Sequence, residues 1–282
     1  MSLLKKQLIK PLLAIVALSV SQLSYADISN TQASNLLHYS AADQDLSQIG
    51  DAMAASLKRN RYINALLTEK GTEQLASKAE IDFGPSVFMK NVTQSVQAVL
   101  SDSDYRQLAA WYQSPFGKEV THYEATRGYA PQKTKSQYKQ LMAEASPERI
   151  QLLEQFDQLT HATDMTVEIA DLVMTETWTA NAISQHTYDE KSKKLFNAYK
   201  DLRLEQAKGS FKQDTQAHSL FTYAKLSDSS LSKYIDFLKS KPARSFIEAA
   251  NQGVMKAMNI GSKDFGDSMA KIERAINANP AG

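Results

Sequence analysis

Apolar residues recur at intervals of three and four along most of this 282-residue chain. That period lines them up on one face of an α-helix. Phe88, Val92, Val96 and Val99 do so after Pro85, and Leu152, Leu153, Phe156 and Leu159 form a second stripe. Met165, Ile169, Leu172 and Val173 make a third, and Phe265, Met269, Ile272 and Ile276 a last one. Leu195, Tyr199 and Leu202 read as another helix, with Asp189 and Glu190 in its opening turn and Lys208-Gly209 at its close, as the helix dipole and a glycine C-cap prefer. Ser146-Pro147-Glu148 spells an N-cap, a first-turn proline and an acidic first turn. No run of alternating β-branched residues and no Asn-Gly or Asp-Gly hairpin signal interrupts this pattern. The expectation is an all-α chain, a multi-helix bundle with short connections between antiparallel neighbours.

Residues 1–26 read differently. Lys5, Lys6 and Lys10 precede the apolar run Pro11 to Val20, and Ser24-Tyr25-Ala26 offers small residues three and one before a cut ahead of Asp27. This is the grammar of a cleaved secretory signal. The apolar run is short of the roughly 20 residues that a membrane-spanning helix needs. The expected fate is therefore export, with no transmembrane segment after cleavage. No Cys follows the run, which excludes a lipoprotein anchor.

Composition narrows the chemistry. The absence of Cys removes disulfides, thiolate metal sites and cysteine nucleophiles together. The formal charge of +1 becomes −2 once the three lysines of the signal are gone, so nothing points to nucleic acid. An exported chain without disulfides depends on its core and its helix caps.

One stretch recurs. Leu100-Ser101-Asp102-Ser103-Asp104-Tyr105 matches Leu226-Ser227-Asp228-Ser229-Ser230-Leu231, 126 residues later. At the same offset Trp111 meets Phe237, Ser114 meets Ser240, Gly117 meets Ala243, Lys118 meets Arg244 and Val120 meets Phe246. Ser101 and Ser227 are placed to cap helices, Leu100 and Leu226 to staple them, and Asp104 to complete a capping box. Ser114-Pro115 predicts a sharp break and a new helix to about Thr126, with Gly117 permitting a close backbone approach; Ser240-Lys241-Pro242 repeats the break one residue out of step. The chain is accordingly read as a signal (1–26) followed by two related helical units, 27–145 and 146–282.

The segment Tyr105 to Lys118 (YRQLAAWYQSPFGK) resembles the aromatic-Tyr-x-Ser-Pro-x-Gly-Lys signature of a family of secreted bacterial helical proteins, domain of unknown function 2059. The resemblance is specific over about fifteen residues and extends over roughly 85–145. The second copy departs from it, with Lys241 in place of the proline and Ala243 in place of the glycine. What the resemblance implies is an all-helical fold in a Gram-negative periplasm. It implies no catalytic residue.

Motifs of chemistry are sparse. The histidines His38, His122, His161, His186 and His218 form no H-E-x-x-H pattern. Asp157, His161 and Asp164, or Glu119 with His122, could share a helix face around a metal, but such spacings are common on solvated faces. Asp82-Phe83-Gly84 and Asp264-Phe265-Gly266 lack the companion motifs of a kinase and read as helix boundaries with an apolar anchor. Trp111, Tyr112, Lys118 and Arg244 are the candidate binding surface. The aromatic pair could line a groove or join the core face with Tyr105 and Leu108. The two cations could meet anionic envelope groups or stay solvated. Lys133, Lys135 and Lys139 read as a solvated basic face.

No catalytic, cofactor or metal residue is assigned. The functional expectation is a non-enzymatic helical binding or accessory protein of the cell envelope, its partner an envelope protein. One alternative is a carrier of an apolar ligand or lipid, since amphipathic helices and nine Met could enclose an adaptable cavity. Another is an envelope hydrolase using carboxylates, which requires a cleft where Asp or Glu converge.

Overall fold

The computed structural model describes residues 27–59, 67–126 and 135–278. The signal segment, Lys133 and the side chains of Lys135, Lys139 and Ile276 lie outside what is described. Among the described residues the fold is all-α, with no strand; Asp27 and Ser101 form an isolated antiparallel bridge.

The chain opens with α1 (Asn30–Tyr39), α2 (Ala42–Ser47), α3 (Ile49–Arg59), α4 (Glu69–Asp82) and α5 (Pro85–Val99). It continues through α6 (Asp102–Gln113), α7 (Pro115–Thr126), α8 (Lys135–Glu144) and α9 (Pro147–Thr160). It closes with α10 (Ala162–Ser184), α11 (Glu190–Thr222), α12 (Asp228–Leu238) and α13 (Lys241–Ala278).

The expected caps form. Ser101 Oγ accepts from the backbone N–H of Asp104 at 3.2 Å, and Asp104 returns the bond to the Ser101 N–H at 3.0 Å, a complete capping box. Ser227 Oγ accepts from Ser230 N–H at 3.1 Å, and Ser146 Oγ from Arg149 N–H at 3.1 Å. At Ser114 the backbone turns extended (ψ 158°), and its hydroxyl accepts from Gly117 N–H at 3.0 Å while donating to Trp111 carbonyl at 2.6 Å. A Cβ on Gly117 would sit 2.1 Å from that same carbonyl oxygen, so the break is this tight only because residue 117 has no side chain. At the matching position Ser240 Oγ accepts from Ala243 N–H at 3.3 Å, and α13 begins 126 residues after α7.

The long α13 is the spine. It packs chiefly on α5 and α10, and also on α4 and α6. Ala249, Gly253, Ala257 and Gly261, four residues apart, give it a seam of small residues. A Cβ on Gly253 would fall 2.5 Å from Val92 Cα, so α5 and α13 meet backbone to backbone at this point. The larger buried cluster joins Leu36, Leu75, Phe83, Phe88, Val92 and Leu108 to Phe246, Met258, Phe265 and Met269 of α13. A second cluster joins Val120 and Leu153 to Leu220, Tyr223, Leu231, Tyr234 and Ile235. Helices from both sides of Ser146 therefore share each cluster.

Some helical stripes land elsewhere than expected. Phe88, Val92 and Val96 are fully buried, but Val99 is half-exposed, because α5 ends there and the chain turns extended at Leu100. Leu195, Tyr199 and Leu202 point outward, 64%, 57% and 57% exposed. Their helix does not close at Gly209 but runs on to Thr222; Gly209 sits in mid-helix with open space around it. Asp82-Phe83-Gly84 is indeed a helix boundary, whereas Asp264-Phe265-Gly266 lies inside α13; the two phenylalanine rings meet, 6.0 Å apart.

Candidate functional site: a groove between the halves

Several depressions are large enough to hold a small molecule, and two of them exceed 700 Å³. The first, about 1170 Å³, runs along α10 and α13 and is lined by His161, Asp164, Glu168, Glu248, Lys256 and neighbouring amides and methionines. It holds no phenyl, phenol or indole ring. The second, about 730 Å³, lies where helices from both sides of Ser146 meet. Its walls are Tyr112, Phe156, Phe211, Tyr234, Leu238, Phe246 and Ile247, with Asp45, Asp214, Thr215 and His218 among its polar residues. A mostly apolar wall with a few placed polar groups, within the usual 300–1,000 Å³, is the form of a small-molecule site.

Glu124 sits in this groove and organises it. The Tyr223 hydroxyl donates to Glu124 Oε1 at 2.6 Å, and the Tyr234 hydroxyl donates to the same oxygen at 2.9 Å. The elements explain the meeting. Glu124 comes from the last turn of α7, whose start is fixed by the Gly117 break. Tyr223 is the C-cap residue of α11, and Tyr234 stands on α12. Arg149 pins that corner: its guanidinium donates to the carbonyls of Leu226 (2.8 Å) and Tyr223 (2.5 Å) and to Asp228 Oδ1 (2.6 Å). Burial pushes the phenols of Tyr112 and Tyr234 well above the ordinary tyrosine range, and the negative charge of Glu124 pushes further. Both stay protonated across the physiological range and act as hydrogen-bonding groups and apolar surface.

The candidate surface residues divide. Tyr112 lines the groove. Trp111 stands behind it, stacked on Phe237 with centroids 3.7 Å apart and planes 4° off parallel, and on Tyr234 at 5.4 Å. Lys118 and Arg244 are exposed and lie outside both linings. Asp157, His161 and Asp164 do not converge on a metal position: Asp157 turns to the N–H and hydroxyl of Thr163, each at 2.8 Å, and holds the start of α10. No group of three or more His, Asp or Glu suited to a metal occurs among the described residues. Glu119 and His122 are both exposed on α7.

Glu124, Tyr223 and Phe211 had no signal of their own in the sequence, and Phe156 and Phe246 stood out only as members of a helical stripe and of the repeat. Each is one more aromatic or acidic residue at helical spacing, and only packing turns them toward a common space.

Among the described residues no helix is long and apolar enough to cross a membrane. No protein-family model, no curated protein and no solved structure matches the chain.

Proposed function

We propose that this chain is a non-enzymatic helical binding protein of the bacterial periplasm, exported through residues 1–26, that takes an apolar ligand in the groove between its halves. The observation that carries the reading is the aromatic-walled groove of about 730 Å³ with the Glu124 carboxylate in its lining. Glu124, Asp45 and Asp214 make the lining acidic, so the ligand is neutral or positively charged; an anionic headgroup would meet like charge. Aromatic faces beside a carboxylate suit an apolar amine through cation–π attraction.

The resemblance of Tyr105 to Lys118 to a secreted helical family supports the location. The recurrence of cap, break and helix start at an offset of 126 supports two related units, and so does the face-to-face contact of the offset-matched rings of Trp111 and Phe237.

Native mass spectrometry of the purified protein, followed by titration with a neutral alkyl alcohol, an alkylamine and a fatty acid of equal length, tests the reading. The expected result is saturable binding of the alcohol or amine at about 1–100 µM, no binding of the acid, and loss of binding when Thr215→Trp fills the groove. Ligand-free protein with no saturable binding of any of the three overturns it.

A further inference from the structure

The outward stripe of α11 is a second, separate feature. Leu195, Tyr199 and Leu202 lie on one face of the helix, and all three are more than half exposed. The opposite face is already occupied: Phe196 stacks on Trp178 of α10 at 4.5 Å, and Lys200 pairs with Asp171 and donates to Thr175 Oγ1 at 3.1 Å. The open side of Gly209 continues the stripe, with nothing within 4 Å. A contiguous apolar strip of this kind on a rigid element marks an interaction surface.

The charges beside the strip say what covers it. Lys191 and Lys194 lie along one edge near the helix start, and Asp201 and Glu205 lie along the same edge further on. None of the four makes an ion pair among the described residues. In an antiparallel helix pair related by a two-fold axis, each edge meets its own copy in reverse order. An axis beside Ala198 sets Leu195 against Leu202 and Tyr199 against Ala198. It also brings Lys191 to Glu205 and Lys194 to Asp201, within two residues of that register and twice over by symmetry. A parallel pair would instead place Lys191 against Lys191. The strip and its edge are complementary to themselves in one orientation.

We propose that the outer face of α11 binds a second copy of this chain, as an antiparallel two-fold helix pair centred between Ala198 and Tyr199. This stands independently of the ligand groove, which lies at the other end of α11.

Because the chain has no cysteine, introduced thiols report the geometry cleanly. Sedimentation velocity of the wild-type chain is expected to show twice the monomer mass at micromolar concentration. Leu195→Glu with Leu202→Glu should return the monomer mass with an unchanged circular dichroism spectrum. Ala198→Cys, beside the axis, should form a cross-chain disulfide on mild oxidation, and Lys191→Cys should not, since the register sets it against Gln206, next to Glu205, and far from its own copy. Lys191→Glu with Lys194→Glu should weaken association about tenfold, and adding Asp201→Lys with Glu205→Lys should restore it. A wild-type chain that stays monomeric, or a dimer untouched by the Leu195 and Leu202 changes, overturns the proposal. A disulfide through Lys191→Cys overturns the antiparallel register.

Discussion

Gly117 shows how much one missing side chain can decide. The Ser114 break brings Trp111 carbonyl over the first turn of α7, and a Cβ at residue 117 would collide with it at 2.1 Å. Gly117→Ala should therefore cost about 2–3 kcal/mol, read as a lowered urea midpoint with an unchanged slope. The matching position, Ala243, carries a Cβ and is buried, so its break is looser and Ala243→Gly should gain nothing. Arg149 is the other decisive residue. It donates to the carbonyls of Tyr223 and Leu226, at the end of α11 and in the following turn, and to Asp228 Oδ1, and Arg149→Ala should cost about 2 kcal/mol in the same assay. The buried phenols set a pH limit. Tyr112 and Tyr234 ionise in the folded protein only well above the ordinary range, so the unfolded chain loses these protons first. Stability is fully present below about pH 10 and falls as pH rises beyond it. Alkaline unfolding followed by circular dichroism should show that fall, and Tyr112→Phe with Tyr234→Phe should make it shallower.

At the scale of the helix, local chemistry made most starts readable. Ser101, Ser114, Ser146 and Ser227 cap where their hydroxyls allow, because capping is settled within four residues. Ends were less readable. Lys208-Gly209 has the composition of a C-terminus, yet α11 passes through it to Thr222. Packing of the later turns against α8 and α9 outweighs the roughly 1 kcal/mol that a mid-helix glycine costs. It follows that Gly209→Ala should stabilise the protein by about 0.5–1 kcal/mol, since nothing crowds the added methyl; a differential scan should show a small rise in Tm. Periodicity also failed to say which side of a stripe is covered. Phe88 and Val92 are buried while Leu195 and Tyr199 are not, although both sets recur at three and four. The spacing describes a face, and only the neighbouring helices decide whether that face is closed.

For the whole molecule the all-helical architecture was legible, and the groove was not. Its lining draws on α2, α6, α7, α9, α10, α11, α12 and α13, so no local window of sequence contains it. Tyr112 was the groove residue read as a candidate binding residue, by its place beside Trp111 at the proline break, whereas Phe156 and Phe246 were read only as stripe and repeat positions. The seam Ala249, Gly253, Ala257 and Gly261 was written plainly at intervals of four, and its meaning depended on knowing that α5 lies across it. That seam carries a consequence in time. The chain is made from its N-terminus, and Leu36, Leu75, Phe88 and Val92 have no lid until residues 246–269 arrive. The contacts that close the larger core join residues more than a hundred positions apart, as Phe83 with Phe265 and Tyr112 with Phe246 do, so the early helices must wait, half-finished, for the last one. A chain ending before Lys241 should remain collapsed without fixed packing, with broad amide resonances and dye-accessible apolar surface. Supplying the α13 peptide separately should restore order only at concentrations that replace the lost tether. Closure by the final helix makes folding a single late event, and it keeps an emerging chain open until all of it is in hand.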